Sequence, residues 1–274
     1  MAGLARTQEK AAALKSSGYE ARQGDLTDLP SLKDAVRDAG AVVHTAAARS
    51  ADAGAIDRAA VETMLAALAG SSRPFVYTSG IWVYGDTQGR MLGEVAQLHP
   101  APLVAWRPAV EDLVLEAKAR GVASVVLRAG MVFGRRGGFV AGMFHDARTT
   151  GAVRIVGDGE NHWSNIHVDD LADLYARVIA EPAAGELFVA CGGMPQPLKK
   201  IALAVAKACR VDGKVQCIPI DQARAEMGPM ADCLAMDQRV GSTKAVRYFG
   251  WTVRKPSIFD EIFGGTYLAS HAGR

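Results

Sequence analysis

Three hydroxyl side chains lie where they could exchange a proton with a bound molecule. The segment at 75–85, FVYTSGIWVYG, begins as an apolar run and then carries Thr78, Ser79 and Tyr84. A positioned hydroxyl can hold a substrate oxygen and pass a proton to or from it. Ser79 is the best candidate for this role, because it lies at the end of the predicted strand. Tyr84 is a weaker candidate, since a structural role in the core or at its rim explains this residue better.

Two basic side chains near the start of the chain, Arg6 and Lys10, are one helical turn apart. This arrangement suits a phosphate group, because cationic side chains form charge-assisted hydrogen bonds with phosphate oxygens. The alternative is that both residues belong to the solvated start of a surface helix.

A group of residues near 162–170 contains donors that metal ions use, namely His162, His167, Asp169 and Asp170. We predict no metal site here. Asp169 or Asp170 can cap the helix that follows, because a carboxylate accepts the N–H groups of a first turn. His167 is interpreted as a buried histidine with satisfied hydrogen bonds.

Short apolar runs alternate with amphipathic stretches along most of the chain, which predicts strands that alternate with helices. Nearly continuous apolar strands indicate a parallel sheet covered on both faces, so we predict a doubly wound α/β fold. The pattern loosens after residue 157, where we place a smaller α/β lobe. The predicted strands are 19–24, 41–46, 75–80, 123–129, 153–157, 186–191 and 214–220, and the predicted helices are 7–17, 31–39, 57–69, 104–120, 138–150, 169–180 and 197–210.

In a doubly wound sheet, ligands bind beyond the carboxyl ends of the strands, so the residues at those ends carry the most information. In order along the chain they read LAR, GDLTD, VVHTAA, FVYTSGIWVYG, LRAGMVFG, GDG and NIHVDDLADLY, with YFGWTVRKPS near the end. Together they resemble the extended short-chain dehydrogenase/reductases of the NAD-dependent epimerase/dehydratase type. The resemblance covers practically the whole chain.

The resemblance implies a Rossmann-like dinucleotide-binding part at 1–157 and a smaller substrate-binding lobe at 158–274. Arg6 and Lys10 would bind the 2′-phosphate of NADP, while NAD remains the alternative cofactor. Two small residues at the end of the predicted strand 41–46, Ala46 and Ala47, would let the backbone approach the ribose and diphosphate. The residues expected to contact the cofactor are Arg6, Lys10, Asp25, Leu26, Thr45, Ala46, Ala47, Thr78, Ala129 and Met131, and those expected to contact a small-molecule substrate are Trp106, His162 and Trp163.

The chain departs from the family at the catalytic residues. The family uses a Tyr and a Lys four residues later, but this sequence has Trp106 and Val110 at the corresponding positions. We therefore expect an atypical NAD(P)-binding oxidoreductase or epimerase that acts on a small carbonyl or alcohol metabolite or on a nucleotide-sugar. Ser79 or an ordered water would supply the proton. The alternatives are a non-catalytic NADP-binding sensor and a truncated inactive form.

A second departure concerns the start of the sequence, MAGLARTQEK, which matches the end of the family's second strand. The family's first strand, glycine-rich turn and helix bind the pyrophosphate, and no match to them is found in this sequence. We expect an N-terminally shortened version of a longer protein. The alternative is that Met1 is the true start and that the sheet is rebuilt around the gap.

Composition excludes several classes of protein. A formal net charge of +2 argues against nucleic-acid binding, and no apolar run reaches the length of a membrane helix. Four scattered cysteines give no disulfide framework or zinc motif. We expect a cytoplasmic protein, and the resemblance implies that it could form a homodimer.

Overall fold

The computed structural model describes residues 1–48, 50–211 and 213–268. Residues 212 and 269–274, which belong to the predicted C-terminal part, lie outside the described residues, as does residue 49. The strands are β1 (Ala2–Ala5), β2 (Glu20–Gln23), β3 (Val42–His44), β4 (Pro74–Gly80), β5 (Ala123–Ala129), β6 (Met131–Phe133), β7 (Val153–Val156), β8 (His162–Trp163), β9 (Asn165–His167), β10 (Glu186–Ala190), β11 (Gln196–Pro197) and β12 (Val215–Ile218).

The helices are α1 (Gln8–Ser16), α2 (Leu29–Arg37), α3 (Ala53–Leu68), α4 (Arg107–Glu116), α5 (Gly138–Thr150), α6 (Val168–Ala180), α7 (Leu198–Ala208), α8 (Ile220–Met227), α9 (Met230–Ala235), α10 (Thr243–Phe249) and α11 (Ile258–Gly264). Every strand and helix predicted from the sequence is confirmed, with shifts of a few residues at the ends. The helices α8 to α11 and the short strands β6, β8, β9 and β11 were not predicted. Strands of two or three residues are too short to show a periodicity.

Contacts between residues divide the chain into two compact units. Unit 1 comprises Met1–Thr78, Trp106–Val126 and Val178–Leu187, and unit 2 comprises Ser79–Ala105, Leu127–Arg177 and Phe188–Arg274. This division describes packing alone. The separate idea that residues 1–157 bind a dinucleotide and residues 158–274 bind a substrate stays a prediction.

Two of the sheets together contain six strands. Strands β1 and β2 pair in parallel, and a four-stranded sheet has the order β10–β5–β4–β3. Parallel pairing of β3 with β4 places His44 opposite Tyr77. The predicted α/β fold with a parallel sheet is therefore confirmed.

The core of unit 1 forms where α2, α3 and α4 cover the sheet. Trp106, Val110, Leu113 and Ala117 recur in the sequence at helical intervals, which predicts one apolar face for α4, and all four pack against this core. Val110 is 2% exposed and Ala117 is fully buried. An apolar face of this kind stabilises the helix mainly through its burial against the sheet.

Unit 2 contains three pairs of strands around its own core. Strand β6 pairs with β9 and β12 pairs with β7, both in parallel, whereas β11 and β8 are antiparallel. The apolar faces of α5 and α7 pack into the largest core cluster of this unit, where Phe144 and Ile201 are almost fully buried. Among the described residues, no helix is both long and apolar enough to cross a membrane.

The prediction that Asp169 or Asp170 caps α6 is wrong. The Asp170 carboxylate accepts hydrogen bonds from the backbone N–H groups of Arg254 and Lys255, at 2.9 and 3.1 Å. Asp169 pairs with Arg135 at 2.7 Å, and its own N–H donates to Nδ1 of His167 at 3.1 Å. The histidine side chain therefore satisfies a first-turn N–H group, and the carboxylates bind other segments.

Candidate functional site

The carboxyl ends of β1 and β2 bring two of the predicted cofactor residues together. Arg6 follows β1, Asp25 follows β2, and the Arg6 Nε atom lies 3.8 Å from Oδ2 of Asp25. The Arg6 side chain is 66% exposed, so its guanidinium also remains open to solvent. Lys10 lies in the first turn of α1 and is exposed. The two cations are thus on the surface at one edge of unit 1.

Asp25 is held in a local turn. Its Oδ1 atom accepts hydrogen bonds from the backbone N–H and the hydroxyl of Thr27, at 2.9 and 2.8 Å. These bonds, helped by the Arg6 charge, lower the pKa of Asp25 below its ordinary value. Leu26 packs against the unit 1 core. Hydrogen bonds of a local turn therefore hold this predicted cofactor position.

The segment after β3 consists of small, exposed residues. Thr45, Ala46 and Ala47 are all exposed to solvent. Because β3 belongs to a parallel sheet, these residues lie at its carboxyl edge, where ligands of such sheets bind. Small side chains there leave room for a ligand to approach the backbone.

Immediately before this segment lies a buried polar network that the sequence analysis did not identify. The Nε2 atom of His44 is 2.8 Å from Oδ1 of Asp57, and the hydroxyl of Tyr77 donates to Oδ2 of Asp57 at 2.7 Å. The exposed fractions of these side chains are at most a few per cent. Burial raises the pKa of Tyr77 far above its ordinary value. The tyrosine therefore stays protonated and acts as a hydrogen-bond donor.

Arg107 extends this network at the start of α4. Its Nη1 atom donates to the Tyr77 hydroxyl at 3.2 Å and to the carbonyl oxygen of Thr78 at 2.9 Å. Its guanidinium carbon lies 4.6 Å from the centre of the Trp106 ring. Two hydrogen bonds and a cation–π contact hold the charged group in one orientation. The cation is thus fixed beside the end of β4.

The two residues at the expected Tyr and Lys positions are packing residues in this structure. Trp106 lies against α3, where a Cβ built on Gly54 would approach its ring to 2.7 Å. Val110 belongs to the unit 1 core. Their side chains offer no group that could take up a proton, and the role of Trp106 in binding a substrate stays a prediction.

Ser79 and Tyr84 differ in their surroundings within unit 2. Ser79 is 4% exposed, and its Oγ atom has no hydrogen-bond partner among the residues that the structure describes. Tyr84 is 1% exposed in the core cluster formed with Ile81 and Val83, and the Arg128 guanidinium lies 4.9 Å from the centre of its ring. Ser79 therefore has a hydroxyl left to bind something else, whereas Tyr84 is enclosed by its own core.

The backbone after β5 is already engaged in hydrogen bonds. The N–H of Gly130 donates to the carbonyl of Ala190 at 2.9 Å, and the N–H of Met131 donates to the carbonyl of Ser164 at 2.8 Å. Ala129 and Met131 are both buried. Any cofactor contact at these two predicted positions must therefore use groups other than the N–H of Met131.

His162 is one of several residues that form hydrogen bonds with the Asp237 carboxylate. The Asp237 carboxylate accepts hydrogen bonds from the His162 N–H at 2.8 Å, the Thr87 hydroxyl at 2.6 Å and the Arg239 Nε at 2.9 Å. The Nδ1 atom of His162 lies 2.9 Å from Nη2 of Arg239. Across the described part of the chain, no three His, Cys, Asp or Glu side chains are grouped as metal ligands.

Trp163, the other predicted substrate residue of this strand, lines an open cavity of about 150 Å³ in unit 2. Its ring centre is 6.1 Å from that of Phe139, which is 37% exposed, and Phe139 is 6.0 Å from the ring of Trp82. Phe139 and the other apolar residues around this cavity, apart from Trp163, were not predicted from the sequence. No local sequence signal marks them, because they come from several separate elements.

Comparison with known proteins supports the resemblance. An uncharacterized protein of Saccharomyces cerevisiae is 28% identical over 268 residues, which cover 95% of this chain and 88% of the yeast protein. The 4-hydroxy-2-methyl-3-oxo-4-farnesyl-3,4-dihydroquinoline-1-oxide ketoreductase of Stigmatella aurantiaca is 28% identical over 235 residues, covering 81% of this chain and 70% of that enzyme.

A solved structure shows the same fold. A dTDP-glucose 4,6-dehydratase from Streptomyces venezuelae, solved with NAD bound, has a TM-score of 0.81 and 18% identity, covering 99% of this chain and 88% of that chain. The sequence model of the NAD dependent epimerase/dehydratase family matches residues 1–191. Since that match takes in well over half of its sequence, the chain belongs to the NAD dependent epimerase/dehydratase family.

Proposed function

We propose that this protein is a nicotinamide-dependent oxidoreductase that acts on a carbonyl or alcohol group of a small molecule. Membership of the family supports a nicotinamide cofactor, and one relative is named as a ketoreductase. A nucleotide-sugar remains within the proposal, because a protein of the same fold is a dTDP-glucose 4,6-dehydratase.

The observation that carries the proposal is the hydroxyl of Ser79. A buried polar atom without a hydrogen-bond partner costs about 1–3 kcal/mol, so proteins retain few of them without a reason. Ser79 lies near the carboxyl end of β4, which is where parallel sheets bind their ligands. A substrate oxygen would give this hydroxyl the partner that the described residues do not provide.

The residues around unit 1's sheet edge fit the adenosine end of such a cofactor. Arg6 and Lys10 would bind a 2′-phosphate, which favours NADP over NAD, and Thr45, Ala46 and Ala47 leave room beside the backbone. Asp25 and Leu26 would flank the adenine, and Thr78, Ala129 and Met131 would lie toward the nicotinamide. The fit rests on the exposed guanidinium of Arg6 and on the exposed small residues after β3.

Ser79 would hold the substrate oxygen and pass a proton to it, either directly or through an ordered water. The nicotinamide, when bound, supplies or accepts a hydride. Ser79 is a weak acid by itself, so its main effect would be orientation and hydrogen bonding to the developing charge on oxygen. Tyr84 remains a weaker candidate for this proton transfer. His162 and Trp163 would contact the remainder of the substrate.

A second function is favoured by Trp106 and Val110. Both positions hold side chains without an exchangeable acid or base, and Val110 is 2% exposed. A protein that binds NADP and senses its level would need the cofactor site without the catalytic tyrosine and lysine.

Three further predictions belong to the proposed oxidoreductase function. They are a cytoplasmic location, a homodimer, and separate cofactor-binding and substrate-binding parts divided after residue 157.

Titration of NADPH and NADH into the purified chain, followed by turnover assays, separates the two functions. We expect NADPH to bind more tightly than NADH, and its oxidation to depend on an added aldehyde, ketone or nucleotide-sugar. Binding without turnover of any compound would favour the sensor. If neither nucleotide binds, both functions are wrong.

A further inference from the structure

The cavity beside Trp163 is lined mainly by apolar side chains from seven structural elements of unit 2. Met143 of α5, Ile155 and Val156 of β7 and Leu198 of α7 are among them, and all four are buried. Its volume of about 150 Å³ is similar to that of an engineered apolar cavity in another protein that binds benzene. The space therefore fits one six-membered ring.

The charges at this cavity do not favour an anion. Only two of its lining residues are charged, Arg154 and Asp146. The Nη2 atom of Arg154 lies 2.6 Å from Oε2 of Glu226, so the arginine charge is already balanced. The Arg154 hydrogen bond also holds the pKa of Glu226 below its ordinary value, which keeps that carboxylate ionised. A nucleoside diphosphate needs unpaired cations, and the lining residues supply a carboxylate instead.

Aromatic rings form one side of the cavity. Phe139 and Trp163 line it, and the ring of Trp82 continues the cluster on the other side of Phe139. Tilted rings at about 6 Å leave faces and edges with which a further ring can pack. The Nε1 atom of Trp163 already donates to the carbonyl of Leu234 at 3.3 Å. The Nε1 atom of Trp82 is buried and has no hydrogen-bond partner in the described part of the chain.

We propose that this cavity binds the ring of a neutral aromatic ketone or of the corresponding alcohol, and not the nucleotide of a nucleotide-sugar. This inference rests on the proposed function, because it names the substrate class on which that function acts. Phe139, Trp163 and the apolar lining of the cavity bind the ring of the ligand. Because Glu226 balances the charge of Arg154, the cavity has no unpaired cation that would attract an anionic ligand.

The experiment measures binding of two probes, acetophenone and UDP-glucose, by calorimetry without any nicotinamide. We expect acetophenone to bind at least about tenfold more tightly than UDP-glucose. Phe139→Ala should weaken acetophenone binding about fivefold. The matched control is Phe263→Ala, because Phe263 is a similarly exposed phenylalanine, 46% against 37%, that does not line the cavity. This control should leave binding unchanged.

Glu226→Gln gives a second test that does not depend on the aromatic cluster. It removes the carboxylate that balances Arg154, so UDP-glucose binding should improve while acetophenone binding stays the same. Tighter binding of UDP-glucose than of acetophenone to the unaltered protein would overturn the inference, as would unchanged binding after Phe139→Ala. Acetophenone binding without turnover of any ketone would overturn the proposed function alone. Turnover of UDP-glucose without acetophenone binding would overturn only the inference.

Discussion

The hydroxyl of Tyr77 donates a 2.7 Å hydrogen bond to Oδ2 of Asp57, and both side chains are 1% exposed. The second carboxylate oxygen of Asp57 contacts His44, so this acidic side chain joins β3 and β4 to α3. A buried carboxylate is stable only when its oxygens have partners. The relationship therefore explains how a charged residue can occupy the helix face that covers the sheet.

Removal of this hydroxyl should destabilise the fold. Tyr77→Phe leaves the Asp57 carboxylate without its shortest hydrogen bond, so we expect the free energy of unfolding to fall by about 1–3 kcal/mol. Urea denaturation followed by circular dichroism measures the change. Tyr19→Phe is the matched control, because Tyr19 is 41% exposed, and it should change stability by less than about 0.5 kcal/mol. Equal effects of the two substitutions would contradict the importance of the network.

Ser79→Ala should lower activity without a loss of stability. The hydroxyl of Ser79 has no partner among the described residues, so its removal costs no hydrogen bond within the protein. We expect kcat/KM to fall about 10²-fold and the thermal midpoint to stay the same or rise. Ser124→Ala is a close control, because Ser124 is also buried and its Oγ atom also has no described partner. If both variants keep full activity, Ser79 does not bind the substrate oxygen.

Arg6→Asp should remove any preference for NADPH over NADH. The substitution replaces the cation that would bind the 2′-phosphate, so NADPH should bind about 10- to 100-fold more weakly while NADH changes little. Arg37→Asp serves as control, since the side chain of Arg37 is equally exposed, at 66%, and lies at the end of α2. Fluorescence titration with both nucleotides provides the comparison. An unchanged preference in Arg6→Asp would eliminate the 2′-phosphate role.

The ionised carboxylate of Asp237 should stabilise the fold, and this contribution to the free energy of unfolding should be lost at acid pH. Burial opposes its ionisation, but hydrogen bonds from Thr87, His162, Arg239 and Gly89 outweigh burial and lower the pKa of Asp237. A lowered folded-state pKa contributes stability above the unfolded value of about 3.9, and this contribution is lost as pH falls through the folded value. The stability difference between the unaltered protein and Asp237→Asn should therefore shrink as pH falls below about 4. Urea denaturation at several pH values measures this difference. A difference in the free energy of unfolding that stays constant across the range would contradict the stabilising role of the Asp237 carboxylate.

The sequence was sufficient for the architecture because apolar periodicity reports burial directly. The spacing of Val110, Leu113 and Ala117 predicted the buried face of α4, and the structure places all three against one core. The cap of α6 was mispredicted, because Asp170 binds backbone groups at 254 and 255, which are distant in sequence. Local patterns carry no information about such a partner.

The site was predictable only where one segment held several candidates. Thr78 and Ser79 were visible because they end one apolar strand. His44, Asp57 and Tyr77 were missed, since each alone is an ordinary residue and only the pairing of β3 with β4 brings them together. The aromatic group around Phe139 was missed for the same reason, as its members come from separate elements.

The most direct test of the central claim follows the transferred hydrogen. The chain is incubated with NADPH carrying deuterium at the reactive carbon of the nicotinamide ring, together with a panel of ketones, and the products are analysed by mass spectrometry. We expect one deuterium on the carbinol carbon of a product alcohol, and we expect Ser79→Ala to reduce formation of this product strongly. NADPH binding without deuterium transfer to any compound would contradict the oxidoreductase function and leave the sensor in its place.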